Sequence, residues 1–340
     1  FCILLYFVLG KNRPMKKFKA SIQRELNNTS HLMVQDEKII GELEGIDKNI
    51  ANQSRYIMNA SSCPVYKNTA TQYLSPGEAM FEVLKEELRK AKHYIFMEYF
   101  IIAEGVMWDS ILDILVKKVK EGVEVRVMYD DVGPIYRLPP NFDQKLEKMG
   151  IQCVVFNPVS PILTLRMNNR DHRKIAVIDG QVAITGGINL ADEYINVYPR
   201  FGHWKDSAVV IRGEAVWSFT VMFLQLWNVT KPTDTDYEIY KPLSQPTSES
   251  DGFVQPYADS PLDENLVAKS IYLNMINKAK SYVYISTPYL IADYEIVTAL
   301  CLAAQNGVDI RIVTPHCGDK WYVHQVTRSY YPQFVDAGVK

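Results

Sequence analysis

Cysteine is scarce in this chain and scattered. Cys2, Cys63, Cys153, Cys301 and Cys317 are the five in 340 residues, and no two stand in a C-x-x-C spacing. That excludes a disulfide framework and a compact zinc knuckle and fits free thiols in a reducing compartment. His316, Cys317 and His324 lie close in sequence but lack a tetrahedral ligand spacing, and are read as structural or exposed. No carboxylate cluster calls for a metal, and no cofactor is expected. An excess of positive charge is also missing: the formal net charge is −2. That argues against binding nucleic acid through bulk charge, while leaving room for a local basic groove. A full membrane-crossing run is lacking too. Phe1 to Leu9 is continuously apolar and begins without a methionine, but nine helical residues reach only about 14 Å, half of the ~30 Å hydrocarbon core. Lys11, Arg13, Lys16, Lys17 and Lys19 follow it. We read residues 1–10 as the remnant of a transmembrane helix with a basic flank on the cytoplasmic side. A short buried strand is the alternative; a cleaved signal peptide fits less well, because the charges come after the apolar run.

What is present is an ordinary globular composition, 47% apolar and 22% charged, with room for about two domains. Residues 11–60 are polar, with an acidic helix expected over 36–48, and read as a membrane-proximal arm. From there the pattern is strand and helix in alternation. Tyr94 to Ile102 is a β-rich run. Trp108 to Glu121 carries Ile111, Leu112, Leu115 and Val119 at helical spacing, and Gly122 ends it. Val123 to Tyr129 and Ile151 to Phe156 are further strands, Asp206 to Arg212 another, and Glu214 to Asn228 a long apolar helix. Such alternation predicts an α/β fold, a mixed sheet sandwiched by helices, over 61–228. Residues 229–263 turn rich in Pro, Ser, Thr and Asp and read as a linker.

After the linker the first pattern returns. Ala91-Lys-His-Tyr-Ile-Phe-Met97 matches Ala279-Lys-Ser-Tyr-Val-Tyr-Ile285, Gly122-Val-Glu-Val-Arg-Val127 matches Gly307-Val-Asp-Ile-Arg-Ile312, and Gly150-Ile151 matches Gly338-Val339. The three displacements are nearly equal, which predicts an internal duplication of a whole α/β unit. On that arithmetic residues 264–340 are an incomplete second copy, and the counterpart of His172 is expected beyond Lys340.

The chemistry concentrates in Asp171-His-Arg-Lys-Ile-Ala-Val-Ile-Asp179, followed by Gly186-Gly-Ile-Asn189. His172 and Lys174 are two apart in an extended segment and so share a face. An imidazole able to attack is set beside a cation able to hold an anion, the glycines allow close backbone approach, and Asn189 adds an amide. These are the parts needed to grip a phosphodiester and attack its phosphorus. Asp179, seven residues on, faces the other side of the strand and is expected to hold the motif together.

The pattern H-x-K-x(4)-D with G-G-x-N behind it is the signature of the phospholipase D superfamily. Together with Glu98-Tyr-Phe-Ile101, Tyr129-Asp-Asp-Val-Gly133, Trp204-Lys-Asp206, Ser286-Thr-Pro-Tyr289 and Asp319-Lys-Trp-Tyr-Val-His324, it makes the chain resemble bacterial cardiolipin synthases over nearly its whole length. The resemblance implies a duplicated phospholipase D-type fold at the bacterial cell membrane, acting on phosphatidylglycerol, with His172, Lys174, Asp179 and Asn189 as site residues. His172 would form a phosphatidyl-histidine, Lys174 and Asn189 would bind the non-bridging oxygens, and no metal would be needed. Asp206, at the distance where family members carry an acidic residue, would fix the imidazole tautomer from the other ring nitrogen, with an ordinary strand-end carboxylate as the alternative. It also implies a second histidine motif, expected from a C-terminal continuation of the chain, so that the 340 residues alone are expected to be inactive. The competing readings are a phosphodiesterase or nuclease of the same superfamily and a catalytically inactive membrane-bound binding protein.

Overall fold

In the computed structural model, residues 13–135, 137–158, 170–242, 250–259 and 266–340 are described. The expected membrane-helix remnant, residues 1–10, lies outside them. Two compact units emerge. One comprises the chain to Pro199 with His203–Ala258, the other Arg200–Gly202 with Asp259–Lys340.

The first unit opens with helices α1 (Arg13–Thr29), α2 (Glu37–Ile46) and α3 (Lys48–Ser61). Its centre is built from β1 (Thr69–Leu74), α4 (Gly77–Lys90), β2 (Tyr94–Tyr99), α5 (Val106–Lys120), β3 (Glu124–Asp130), α6 (Phe142–Lys148), β4 (Gln152–Phe156), β5 (Ile175–Ile178), β6 (Val182–Gly186), β7 (Ala208–Gly213) and α7 (Val216–Thr230). The seven strands form one mixed sheet in the order β1-β7-β6-β5-β2-β3-β4. Strands β2, β3 and β4 run parallel, while β5, β6, β7 and β1 pair antiparallel. Every residue of β2 is buried, as a central strand covered on both faces requires, and this is why its sequence is a continuous apolar run. Ile95, Met97 and Tyr99 belong to the same core as Leu84, Leu88, Trp108, Ile111 and Leu115. On the other face Phe96 stacks on Phe223 of α7 with ring centroids 4.7 Å apart. Helix α7 is apolar nearly all round because it is buried nearly all round.

Two stretches that composition marks as a polar arm and a linker are docked on the first unit where described. The polar arm expected over 11–60 is helical where described, and Ile39, Ile40, Leu43 and Ala51 pack with Val65 in a small core that Phe253 borders. A few apolar side chains on one helical face are enough to dock a mostly polar segment. The linker expected over 229–263 is likewise anchored where described. Val254 bridges Tyr66, and Gln255 bonds Ser54 and the carbonyl of Cys63.

The strongest anchor is Asp234. It takes the guanidinium of Arg126 in a bidentate pair at 2.5 and 2.9 Å. Tyr240 Oη accepts from the same guanidinium at 2.7 Å, and the rings of Phe96, Trp227 and Tyr240 surround it at 5.2–5.5 Å.

The second unit contains α8 (Val267–Lys278), β8 (Tyr282–Ser286), α9 (Tyr294–Gln305), β9 (Asp309–Val313), α10 (Trp321–Ser329) and α11 (Tyr331–Asp336). Strands β8 and β9 pair in parallel across α9, the arrangement that β2, α5 and β3 adopt in the first unit. Its core gathers Ile276, Leu290, Val297, Leu300, Ile310 and Phe334. Among the described residues no helix is long and apolar enough to cross a membrane.

Removing the sole partner of a buried charge costs about 3–5 kcal/mol, but Arg126 also pairs through Nε with Glu124 Oε1 at 2.6 Å. Asp234→Ala should therefore destabilise the first unit by less than that, roughly 2–3 kcal/mol, measured by the shift of its urea unfolding transition. A shift worth less than ~1 kcal/mol, the range of exposed pairs, would mean that Arg126 finds water instead.

Candidate active site

Residues 170–174 precede β5 in extended form, and because Glu98 pairs with Ile175 they lie at the C-terminal ends of the parallel strands, where α/β sheets offer their crevices. Three buried carboxylates hold this segment. Asp130, at the end of β3, accepts from the amide of Asp171 at 3.0 Å and from Arg170 Nη1 at 3.3 Å. Arg170 Nη1 also donates to the carbonyl of Asn157 at 2.9 Å. Arg173 Nε lies 2.5 Å from Glu98 Oε1 and 3.3 Å from Asp171 Oδ1.

His172 is exposed, with its ring 4.7 Å from that of Phe100 at a tilt of 50°. Lys174 is only 5% exposed. Its ammonium sits 5.4 Å from the same Phe100 ring and donates to the carbonyl of His172. Phe100 thus underlies both. Thr185 Oγ1 donates to the carbonyl of Lys174 at 2.9 Å. Burial pulls the Lys174 ammonium down to about 8, against the pull of Asp171, Asp206, Asp130 and Glu98, whose charges favour protonation. The result is a cation in a low-dielectric wall, where its field acts with little screening.

The glycine pair at the end of β6 is explained by proximity. A Cβ on Gly186 would lie 2.4 Å from the carbonyl oxygen of Ser207, and one on Gly187 would lie 2.3 Å from Asp206 Oδ1. Asp206 thereby rests against bare backbone, and its Oδ1 accepts from the Ser207 amide at 2.7 Å. Burial raises the Asp206 carboxyl above its ordinary range, with Lys174 acting in the opposite direction. Asn189 is buried. Its Oδ1 accepts from the amide of Ile101 at 2.9 Å and its Nδ2 donates to Tyr194 Oη at 2.8 Å. One amide hydrogen remains beyond these, so Asn189 first of all fixes the turn after β2.

Asp179 is not brought to His172. The two stand at opposite ends of β5. Asp179 adopts φ +53°, and its carboxylate accepts from the amides of Lys92, His93 and Tyr94, each at 2.8 Å. It closes the start of β2. The reason is length: seven residues of extended chain at ~3.3 Å each carry Asp179 about 23 Å along from His172. Phe100, Glu98 and Asp130 were missed as site residues. The available signal was a charged residue closing an otherwise apolar strand, since a buried carboxylate there must have a partner. Among the described residues no group of three His, Cys, Asp or Glu side chains is arranged to hold a metal ion.

Residues 84–227 and 272–340 match the family model described as cardiolipin synthase, phospholipase D-like domain. An uncharacterized protein of Streptococcus mutans is 46% identical over 96% of this chain and 70% of its own length. A cardiolipin synthase of Alkalihalophilus pseudofirmus is 34% identical over 98% of this chain and 67% of its own. Among solved structures, the phosphatidylserine synthase of Haemophilus influenzae superposes with a TM-score of 0.55 at 12% identity, covering 86% of this chain and 76% of that one. That last likeness is one of fold alone.

The Asp179 clasp makes a direct prediction. Hydrogen bonds to a charged acceptor contribute about 1.5–3 kcal/mol each, less where water can replace them. Asp179→Ala should cost about 2–4 kcal/mol of stability in a denaturant titration. A loss below ~0.5 kcal/mol would show that the three amides are satisfied without it.

Proposed function

This chain belongs to the bacterial cardiolipin synthase family of the phospholipase D superfamily, and from that premise we propose that it joins two phosphatidylglycerol molecules into cardiolipin, releasing glycerol. The observation that carries this reading is the pairing of an exposed imidazole with a buried ammonium on one face of the 170–174 segment. In the first step a neutral imidazole nitrogen of His172 attacks the phosphorus. The bond from phosphorus to the headgroup glycerol breaks, and the glycerol oxygen leaves with a proton. In the second step a hydroxyl of another phosphatidylglycerol gives up its proton, attacks the same phosphorus and frees the histidine. Splitting one displacement into two is the gain of covalent catalysis.

Lys174 has the place to hold the non-bridging oxygens, whose charge grows in each transition state. Asp206, resting on Gly187, is the group we assign to orienting the imidazole. Asp179 and Asn189 serve by holding β2 and the turn after it. The acid that protonates the glycerol is assigned to a second motif of the kind the family resemblance implies. We place the enzyme at the membrane surface on the cytoplasmic side, where phosphatidylglycerol and the basic N-terminal flank meet.

The test is full-length protein on phosphatidylglycerol vesicles, with DNA as the competing substrate. Cardiolipin and free glycerol are expected in equal amounts. DNA cleavage without cardiolipin would replace this reading by a nuclease. His172→Ala should abolish both turnover and the acid-labile phospholipid adduct, while circular dichroism stays unchanged because the side chain is exposed. Lys174→Ala should lower kcat by roughly 10²–10³, the range for removing one preorganised donor.

The pH dependence has a definite sign. Lys174 must be protonated to hold the phosphate, and its pKa is lowered to about 8. Turnover should therefore fall as pH rises through about 8, and Lys174→Arg should move that limb to higher pH because guanidinium keeps its proton. A profile flat to pH 10 in the unsubstituted enzyme, on the scale of an ordinary lysine at ~10.4, would remove Lys174 from this role.

A further inference from the structure

Behind the face that presents His172 and Lys174 lies a second constellation with no part in the mechanism just given. The side chains that alternate with them, Asp171 and Arg173, turn inward and meet Glu98, near the end of β2. Glu98 has no solvent exposure and Asp171 has 6%. Arg173 Nε is in ion-pair contact with Glu98 Oε1 at 2.5 Å and accompanies the Asp171 carboxylate, whose Oδ1 also accepts from the Arg173 amide at 3.1 Å. Even so, both oxygens of Glu98 and Asp171 Oδ2 have no well-directed hydrogen-bond donor. Three buried carboxylate oxygens in one place, one held only by an ion-pair contact and two with no donor, are unusual, since buried polar atoms are nearly always satisfied.

Stability does not account for them. A buried ion cluster can usually be replaced by apolar side chains of like volume with no loss. What apolar side chains could not supply is negative potential beside Lys174. The carboxylates whose charges favour the charged form of its ammonium are, from largest influence to smallest, Asp171 from its own segment, Asp206 ahead of β7, Asp130 from β3 and Glu98 from β2. Arg173 and Arg170 balance Glu98, Asp171 and Asp130. The backbone on both sides of His172 is tied to this cluster, through the Asp171 amide to Asp130 and through the Arg173 side chain to Glu98.

We propose that Glu98 is a positioning residue of the phosphate-transfer site: with Asp171 and Arg173 it forms a buried ionic knot that fixes the two residues flanking His172, and with them the His172 carbonyl on which the Lys174 ammonium rests. The proposal rests on the functional reading above for its kinetic consequence, but its physical core is the backbone held at His172 and the lysine seated on it. Burial raises the Glu98 carboxyl well above its ordinary range, the Arg173 charge opposes this, and Asp171 adds to it. Such a group responds strongly to the removal of either neighbour.

The experiment uses Glu98→Gln, which keeps the shape and removes the charge, in the full-length protein. Two readings are taken. The first is the titration of Lys174, followed by NMR of nitrogen-labelled lysine and assigned through Lys174→Arg. The second is the pH profile of kcat and KM on phosphatidylglycerol vesicles. The Lys174 titration should move to lower pH, and the alkaline limb of kcat with it. At the optimum kcat should fall by roughly 100-fold, the cost of a small misplacement, with KM changing much less. A purely structural Glu98 would lower the melting temperature while leaving the Lys174 titration and the limb where they are, and that result overturns the proposal. Asp171→Asn gives the same test by removing the facing carboxylate, should the first variant fail to fold. If the unsubstituted enzyme makes no cardiolipin, the functional reading falls, and the Lys174 titration still decides this proposal.

Discussion

A charge removed from water must find its opposite, and in the first unit this requirement decides which irregular segments are held and where. The sheet places Arg126 within β3, Asp130 at its end and Glu98 near the end of β2, all buried. Each therefore recruits a partner from a stretch that has no regular structure of its own. Arg126 draws in the segment around Asp234, Asp130 draws in Arg170 and the amide of Asp171, and Glu98 draws in Arg173. The 170–174 segment is thus fixed from beneath by ions and needs no strand pairing until Ile175. The arrangement contributes little net stability, since desolvation offsets most of the attraction. Its value is conformational: only one path of the backbone satisfies all of the partners.

The same scarcity of water gives the site its chemical character. Lys174 stands in a wall of protein and not in solvent, so its charge reaches a bound phosphate with less screening than a surface lysine could provide. Phe100 beneath the imidazole and the ammonium offers each a π face, which supports a cation without competing for its hydrogen bonds as a carboxylate would. An imidazole that is exposed, next to an ammonium that is not, is an arrangement suited to a substrate arriving from one side.

Much of this was legible in the residues. The apolar run ending at Tyr99, the helical stripe of Ile111 and Leu115, and the uniformly apolar α7 are local patterns with one physical reading, and the strands and helices lie where those patterns put them. The shared face of His172 and Lys174 followed from strand geometry alone. What stayed hidden depends on partners distant in sequence. The stripe of Ile39, Ile40 and Leu43 is too sparse to announce a docked helix, and Asp234 sits in a Pro- and Thr-rich stretch whose composition says linker. The holding role of Asp179 followed from its spacing, but its partners and those of Asn189 did not, because each bonds amides more than eighty residues away. Glycines 186 and 187 were legible as sites of close approach, but the approaching atoms belong to Asp206 and Ser207.

Strand β5 has only four residues, short enough that its ladder alone would hold it weakly in place. It is locked from both ends, by the Asp179 carboxylate at one rim of the sheet and by Asp171 and Arg173 at the other. A slip of one residue against β2 would exchange its faces, sending the arginine outward and turning the lysine away from the phosphate position. The two rims act as end stops on a sliding bolt. Loosening either one, however far from the imidazole, would admit a population of molecules that are folded, compact and wrongly indexed. Heterogeneous activity among well-folded molecules, and not unfolding, is the failure to which such a strand is prone.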